Sequence, residues 1–124
     1  NATELSVSRV EKIEDSSLSY ASIDGWVDSG RGQGFINLMR ESWRTRAYGD
    51  FWSYMLVAEG AVDVATEPEL QLYDMAALDI IVREAGGRFT NLNGVDGVKG
   101  PGALATNGLL HDAVLEYLKG GQPT

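Results

Sequence analysis

The sequence predicts a layered α/β domain, a sheet covered by helices, on three observations. Short stretches with apolar residues at alternate positions are separated by segments of about a dozen residues whose apolar positions recur at helical spacing. Glycines stand where those helical segments should stop. The 124 residues, 44% of them hydrophobic, suffice to bury one core.

Residues 16–22, SSLSYAS, set Leu18 and Tyr20 between polar neighbours and read as a half-buried strand. The following DGWVDSGRGQG, with four glycines and two aspartates, reads as a loop over 24–34 before a helix over 35–42. Alternation across RTRAYG predicts a short strand from Arg44 to Tyr48 that turns at Gly49. In DFWSYMLVAE the apolar positions 51, 52, 55, 56 and 58 form a helical stripe, with Asp50 as N-cap and Gly60 as stop. A strand over 61–66 follows, and Pro68 marks a turn. The run 74–84 carries Met75, Leu78, Ile81, Val82 and Ala85 on one broad helical face and ends at the Gly86-Gly87 pair. A strand over 88–91, a turn at Asn93-Gly94, a strand over 103–106, a helix over 109–118 and a frayed GGQPT complete the chain.

Ten Lys plus Arg against eighteen Asp plus Glu give a net charge of −8, which repels nucleic-acid phosphates and anionic membrane surfaces. Nucleic acid and membrane are therefore not expected partners. With no cysteine and one histidine, thiolate sites, disulfides and zinc anchored on His111 are excluded, and His111 reads as a capping or surface residue. The chain contains no Gly-x-Ser-x-Gly elbow of a serine hydrolase. No apolar run approaches the roughly 20 residues of a membrane span, and the default location is the cytoplasm. The opening residues, from Asn1, read as the middle of a longer chain, so an N-terminal part is expected to be missing.

Asp74 stands ahead of an apolar helix. Periodicity is satisfied by a helix cap that accepts backbone N–H bonds, a role worth about 0.5–2 kcal/mol. The other reading is a carboxylate projecting from a strand-to-helix junction toward Mg²⁺, a hard ion that prefers oxygen ligands and needs others besides this one.

The stretch YDMAALDIIVREAGGRFTNLNG resembles the second signature of the inositol monophosphatase superfamily, with Tyr73 where that family usually has Trp. The resemblance extends upstream through LVAEGAVDVATEPELQLYD and downstream through ALATNGLLHDAVLEYL, nearly the whole chain. It implies a Mg²⁺-dependent phosphomonoesterase in which metal ions position a water and stabilise the phosphoryl transition state. Residues 1–124 then correspond to the C-terminal domain of the inositol monophosphatase-like fold, with the N-terminal metal-binding domain absent and Asp74 as this chain's metal ligand. No other catalytic residue is expected here. Ser22-Ile23-Asp24-Gly25-Trp26 only mimics the upstream metal motif and reads as a glycine turn. The isolated chain is expected to be inactive.

By the same resemblance Glu67, seven residues before Asp74, contacts substrate, with a solvent-facing carboxylate beside Pro68 as the alternative. RTRAYGDFWSYMLVAEG looks like the histidinol-phosphate phosphatase branch, which makes Asp50 a second substrate contact. Two carboxylates at Asp50 and Glu67 suit the ammonium group of histidinol phosphate, where a polyol needs no such charge. Arg44 or Arg46 orients substrate or bridges to a neighbouring subunit, or is a solvated strand-edge charge. Asp63 reads as structural, and the resemblance implies a homodimer. The competing readings are an inositol or sugar phosphate phosphatase and a non-catalytic α/β binding domain.

Overall fold

A computed structural model describes residues 5–20, 23–46, 50–68, 75–98 and 102–119. In chain order the elements are β1 (Ser17–Ser19), α1 (Ile23–Asp28), α2 (Gly32–Glu41), β2 (Arg44–Arg46), α3 (Asp50–Glu59), β3 (Val64–Glu67), α4 (Met75–Glu84), β4 (Arg88–Thr90), β5 (Ala103–Thr106) and α5 (His111–Tyr117). The strands form one sheet in the order β2-β1-β3-β5-β4. The β2, β1 and β3 strands run parallel, whereas β5 is antiparallel to both β3 and β4.

Helices cover both faces of that sheet. On one face, α3 and α4 bring Tyr54, Val57, Ala58, Leu78 and Val82 against Ala65, Ala103 and Ala105. On the other, Trp26, Phe35, Leu38, Val114 and Leu118 from α1, α2 and α5 pack on Leu18, Val64 and Leu104. The pleat assigns Ala65, Ala103 and Ala105 to the first face and Val64 and Leu104 to the second. Both β3 and β5 are consequently buried at every position, as central strands covered on two sides must be. The α/β layered architecture expected from the sequence is therefore present.

The element boundaries depart from expectation in instructive places. The glycine-rich stretch expected as a loop over 24–34 instead contains α1 and the start of α2. Trp26, fully buried, stacks on Phe35 with ring centroids 4.7 Å apart, so the segment is pinned to the core. Its glycines serve close approach: a Cβ on Gly34 would lie 1.9 Å from the Tyr117 carbonyl oxygen, so α2 can pass α5 only at a glycine. The strand expected over 61–66 lies later, as β3, because the Ala61 and Val62 amides bond back to the Leu56 carbonyl and finish the turn out of α3. Glu67 thereby becomes a strand residue. The observed α3, α4 and β5 agree with expectation, except that position 74, like Tyr48 and the 120–124 tail, lies outside the described residues.

Candidate functional site

Because β1, β2 and β3 are parallel and in register, their C-terminal residues Ser19, Arg46 and Glu67 reach the same end of the sheet. Along the chain, α1 follows β1, α3 follows β2 and α4 follows β3, so each of these helices begins from that end. Ligands in open α/β sheets bind outside the carboxyl ends of the strands, where helix N-termini also direct unpaired backbone N–H groups. A hydrogen bond of 2.6 Å between the Ser19 and Ser53 hydroxyls ties the end of β1 to the first turn of α3.

Glu67 is only 5% exposed, which overturns the reading of its carboxylate as solvent-facing. Its residue is held by its neighbours: Thr66 donates from Oγ1 to the Ala103 carbonyl at 2.8 Å, and Glu67 pairs with Ala103 across the ladder. At Gly102, whose φ is +66°, a Cβ would stand 2.6 Å from the Glu67 carbonyl oxygen and 2.5 Å from Leu92. Glycine is required there on both counts.

Against this strand end lies Tyr54, fully buried on α3. Among the described residues its hydroxyl has no hydrogen-bond partner. Burial first, and the nearby Glu67 charge second, push the phenol well above its usual pKa. Nothing in the sequence distinguished Tyr54 from a core aromatic; the available signal was its position four residues after Asp50, one helical turn along the same face.

Asp50 is the first residue of α3, where a cap was expected, and its side chain lies outside the described residues. Arg44 and Arg46 are both exposed on the edge strand β2. Only Arg46 is at the C-terminal end; the Arg44 guanidinium lies over the Trp43 ring, 4.5 Å from its centroid. Asp74 lies outside the described residues, among which no three His, Asp or Glu groups come together to hold a metal ion. Asp63 has structural partners: its carboxylate accepts from the Ser17 amide at 2.7 Å and from the Ser8 hydroxyl.

His111 is neither a cap nor a surface residue. It is fully buried as the first residue of α5, whose N-cap position is taken by Leu110. Its Nε2 is 2.8 Å from Thr90 Oγ1 and its Nδ1 is 2.9 Å from Thr106 Oγ1. The Thr90 hydroxyl donates to the Asn91 carbonyl, while Thr106 Oγ1 accepts from the Gly108 amide. These bonds assign the ring: Nε2–H donates to Thr90 and Nδ1 accepts from Thr106. Burial first, and the Arg88 guanidinium second, lower its pKa to about 4 against the opposing pull of Asp112 and Asp96. This neutral histidine belongs to the β4–β5–α5 corner and has no part at the parallel-strand end.

Residues 1–121 match the model of the inositol monophosphatase family. The histidinol-phosphatase of Streptomyces coelicolor is 57% identical over 118 residues, which cover 95% of this chain and 44% of that protein. That of Mycobacterium tuberculosis is 58% identical over 117 residues, covering 94% and 45%. The solved structure of an IMPase from Thermotoga maritima superposes with a TM-score of 0.80 at 27% identity, over 93% of this chain and 44% of that one. The chain thus spans less than half the length of these relatives.

Proposed function

The chain belongs to the inositol monophosphatase family, and we propose that in the full-length protein it serves metal-dependent hydrolysis of histidinol phosphate to histidinol, a step of histidine biosynthesis. The observation that carries this reading is the buried carboxylate of Glu67 at the carboxyl end of β3, in a chain 57% identical to a histidinol-phosphatase. A desolvated negative charge favours an ammonium group over a hydroxyl, because a cation offers it the stronger, charge-assisted hydrogen bond. Asp50, at the head of α3, supplies the second carboxylate, and Arg46 is the β2 arginine that stands at the correct end.

The family uses metal ions, and Mg²⁺ is the proposed one, with Asp74 as this chain's ligand. The role proposed for the described residues is recognition of the substrate's cationic end. In this reading the chain is the C-terminal domain of the phosphatase, and the remaining metal ligands come from outside it. A cytoplasmic homodimer completes the proposal. Among the described residues, no helix is long and apolar enough to cross a membrane.

The test is phosphate release by the full-length protein from histidinol phosphate and from inositol 1-phosphate, with and without Mg²⁺. The expected result is Mg²⁺-dependent release with kcat/KM at least tenfold higher for histidinol phosphate, the order of discrimination available from one charge-assisted contact. Equal rates, or preference for inositol phosphate, would instead support a polyol or sugar phosphatase; no release from either would support a non-catalytic domain.

A further inference from the structure

We propose that Asn93 is a site of spontaneous deamidation, the one of the chain's two Asn-Gly pairs that the fold leaves reactive. The pairs, Asn93-Gly94 and Asn107-Gly108, carry the same chemistry. Glycine has no Cβ to shield its amide nitrogen, so in either pair that nitrogen can reach the preceding carboxamide. It attacks Cγ of the asparagine; the N–Cγ bond forms, the Cγ–Nδ2 bond breaks, and Nδ2 leaves as ammonia with the proton that the glycine nitrogen gives up. Water then opens the cyclic imide at one of its two carbonyls. The product is aspartate or, with one extra methylene in the main chain, isoaspartate.

What separates the two pairs is the hold on each carboxamide. Asn107 is buried and fastened at both ends: Nδ2 donates to Ser8 Oγ at 3.0 Å and to the Val10 carbonyl at 2.8 Å, while Oδ1 accepts from the Leu109 and Leu110 amides. Swinging Cγ onto the Gly108 nitrogen breaks all four bonds inside the fold. Asn93 is exposed in the turn that follows β4, and its carboxamide has no hydrogen-bond partner among the described residues. The restraint on this pair is in the backbone: the Gly94 amide donates to the Asn91 carbonyl at 3.1 Å, and Asn91 Oδ1 accepts from the Asn93 and Val95 amides. A surface turn opens locally at far lower cost than a buried network.

The position also ties the modification to the end of β3. Leu92, in the same turn, is buried, and its Cδ1 lies 2.5 Å from where a Cβ on Gly102 would stand, beside the Glu67 carbonyl oxygen. A methylene added to the main chain at residue 93 displaces this neighbour of Gly102. The aspartate product keeps the backbone length and adds only a carboxylate, in a cleft that Asn93 lines with Arg31, Glu116 and Lys119. Isoaspartate is therefore the damaging form.

The test incubates the full-length protein at mildly alkaline pH, native and unfolded in urea. Peptide mapping that resolves asparagine, aspartate and isoaspartate at each position follows both pairs. In the native protein Asn93 should convert at least about tenfold faster than Asn107, whose carboxamide must first give up its hydrogen bonds. In urea the two rates should agree within about twofold, because only local sequence acts there. A native ratio no larger than that in urea, or an Asn93 that stays intact in the native protein while the unfolded one converts, overturns the assignment. Asn93→Ser, which suits a turn and has no carboxamide, is the control; Asn93→Gln, whose longer side chain cyclises far more slowly, replaces it should serine disturb folding. After the same incubation the thermal unfolding midpoint should fall in wild type in step with its isoaspartate content and hold in the control. Equal falls in both would overturn the tie between the turn and the end of β3.

Discussion

Two buried polar groups on opposite faces of the same sheet differ in how completely their hydrogen bonds close. At the β4–β5–α5 corner, His111 uses both ring nitrogens on Thr90 and Thr106, and each hydroxyl has a further backbone partner. At the carboxyl end of β3, the buried Tyr54 phenol has no hydrogen-bond partner among the described residues, and the Glu67 charge raises its pKa. A closed network has nothing left to offer a ligand and acts on stability. A buried phenol left unsatisfied beside a carboxylate at a strand end is instead the kind of perturbed group that gathers where selectivity can arise.

The sharpest way to break that contrast is His111→Ala. It removes an imidazole with no exposed surface and strips a bond from two buried hydroxyls. A loss of about 3–4 kcal/mol of unfolding free energy is expected. Chemical denaturation of the full-length protein measures it, and the substrate ratio at low temperature should stay where it was. A changed ratio would mean that the corner communicates with the parallel-strand end.

Acid provides the same test without mutation. The folded-state pKa of His111 is lowered to about 4 from its ordinary 6.5, so between those values the unfolded chain binds more protons than the folded one. Stability from this group is therefore complete above pH 6.5 and is lost progressively as pH falls toward 4, by about 3 kcal/mol in all. Protonation also turns Nδ1 into a donor facing the Thr106 hydroxyl, which must then redirect its own proton. Unfolding curves at pH 7 and pH 5 should differ in wild type and differ distinctly less in His111→Gln, which cannot titrate.

At the open end, Asp50 separates capping from recognition. If the cap expected of Asp50 at the head of α3 holds, Asp50→Ala removes both a cap worth about 1 kcal/mol and a carboxylate, whereas Asp50→Ser restores the cap alone. Thermal stability should return with Ser, whereas kcat/KM for histidinol phosphate should remain roughly tenfold down in both variants. Full kinetic recovery with Ser would reduce Asp50 to a cap.

The same contrast explains which features were legible in the sequence. Helices α3 and α4 announce themselves because their apolar positions keep a helical period and end at glycines. The sheet's end, with Arg46, Glu67 and the head of α3, is also readable, because strand-to-helix junctions are marked locally. The α1 helix was hidden because its neighbouring glycines look like turn signals, whereas Gly34 exists to let Tyr117 approach, a contact between residues distant in sequence. His111 was misread for a similar reason: its partners are two threonines on separate strands, and a lone histidine carries no local mark of burial. Tyr54 was invisible as anything but core, since only the fold brings it under the influence of the Glu67 charge.

The smallest expected effect distinguishes the two arginines of β2, and it bears on where the open end stops. Arg46 pairs with Ser19 at the carboxyl end, while Arg44 pairs with Ser17, two residues back, or about 7 Å along the strand. Arg44 also has a local use, its guanidinium lying over the exposed Trp43 ring. Arg44→Ala should therefore cost at most about 0.5–1 kcal/mol of stability and leave KM unchanged. Arg46→Ala should raise KM for histidinol phosphate about threefold, and added salt should shrink that difference because an exposed guanidinium acts through screened charge. Were Arg44→Ala to raise KM more than Arg46→Ala, the substrate would have to extend along the edge of β2 rather than stop at its end. Recognition would then no longer be confined to the strand termini that Glu67 and Asp50 mark.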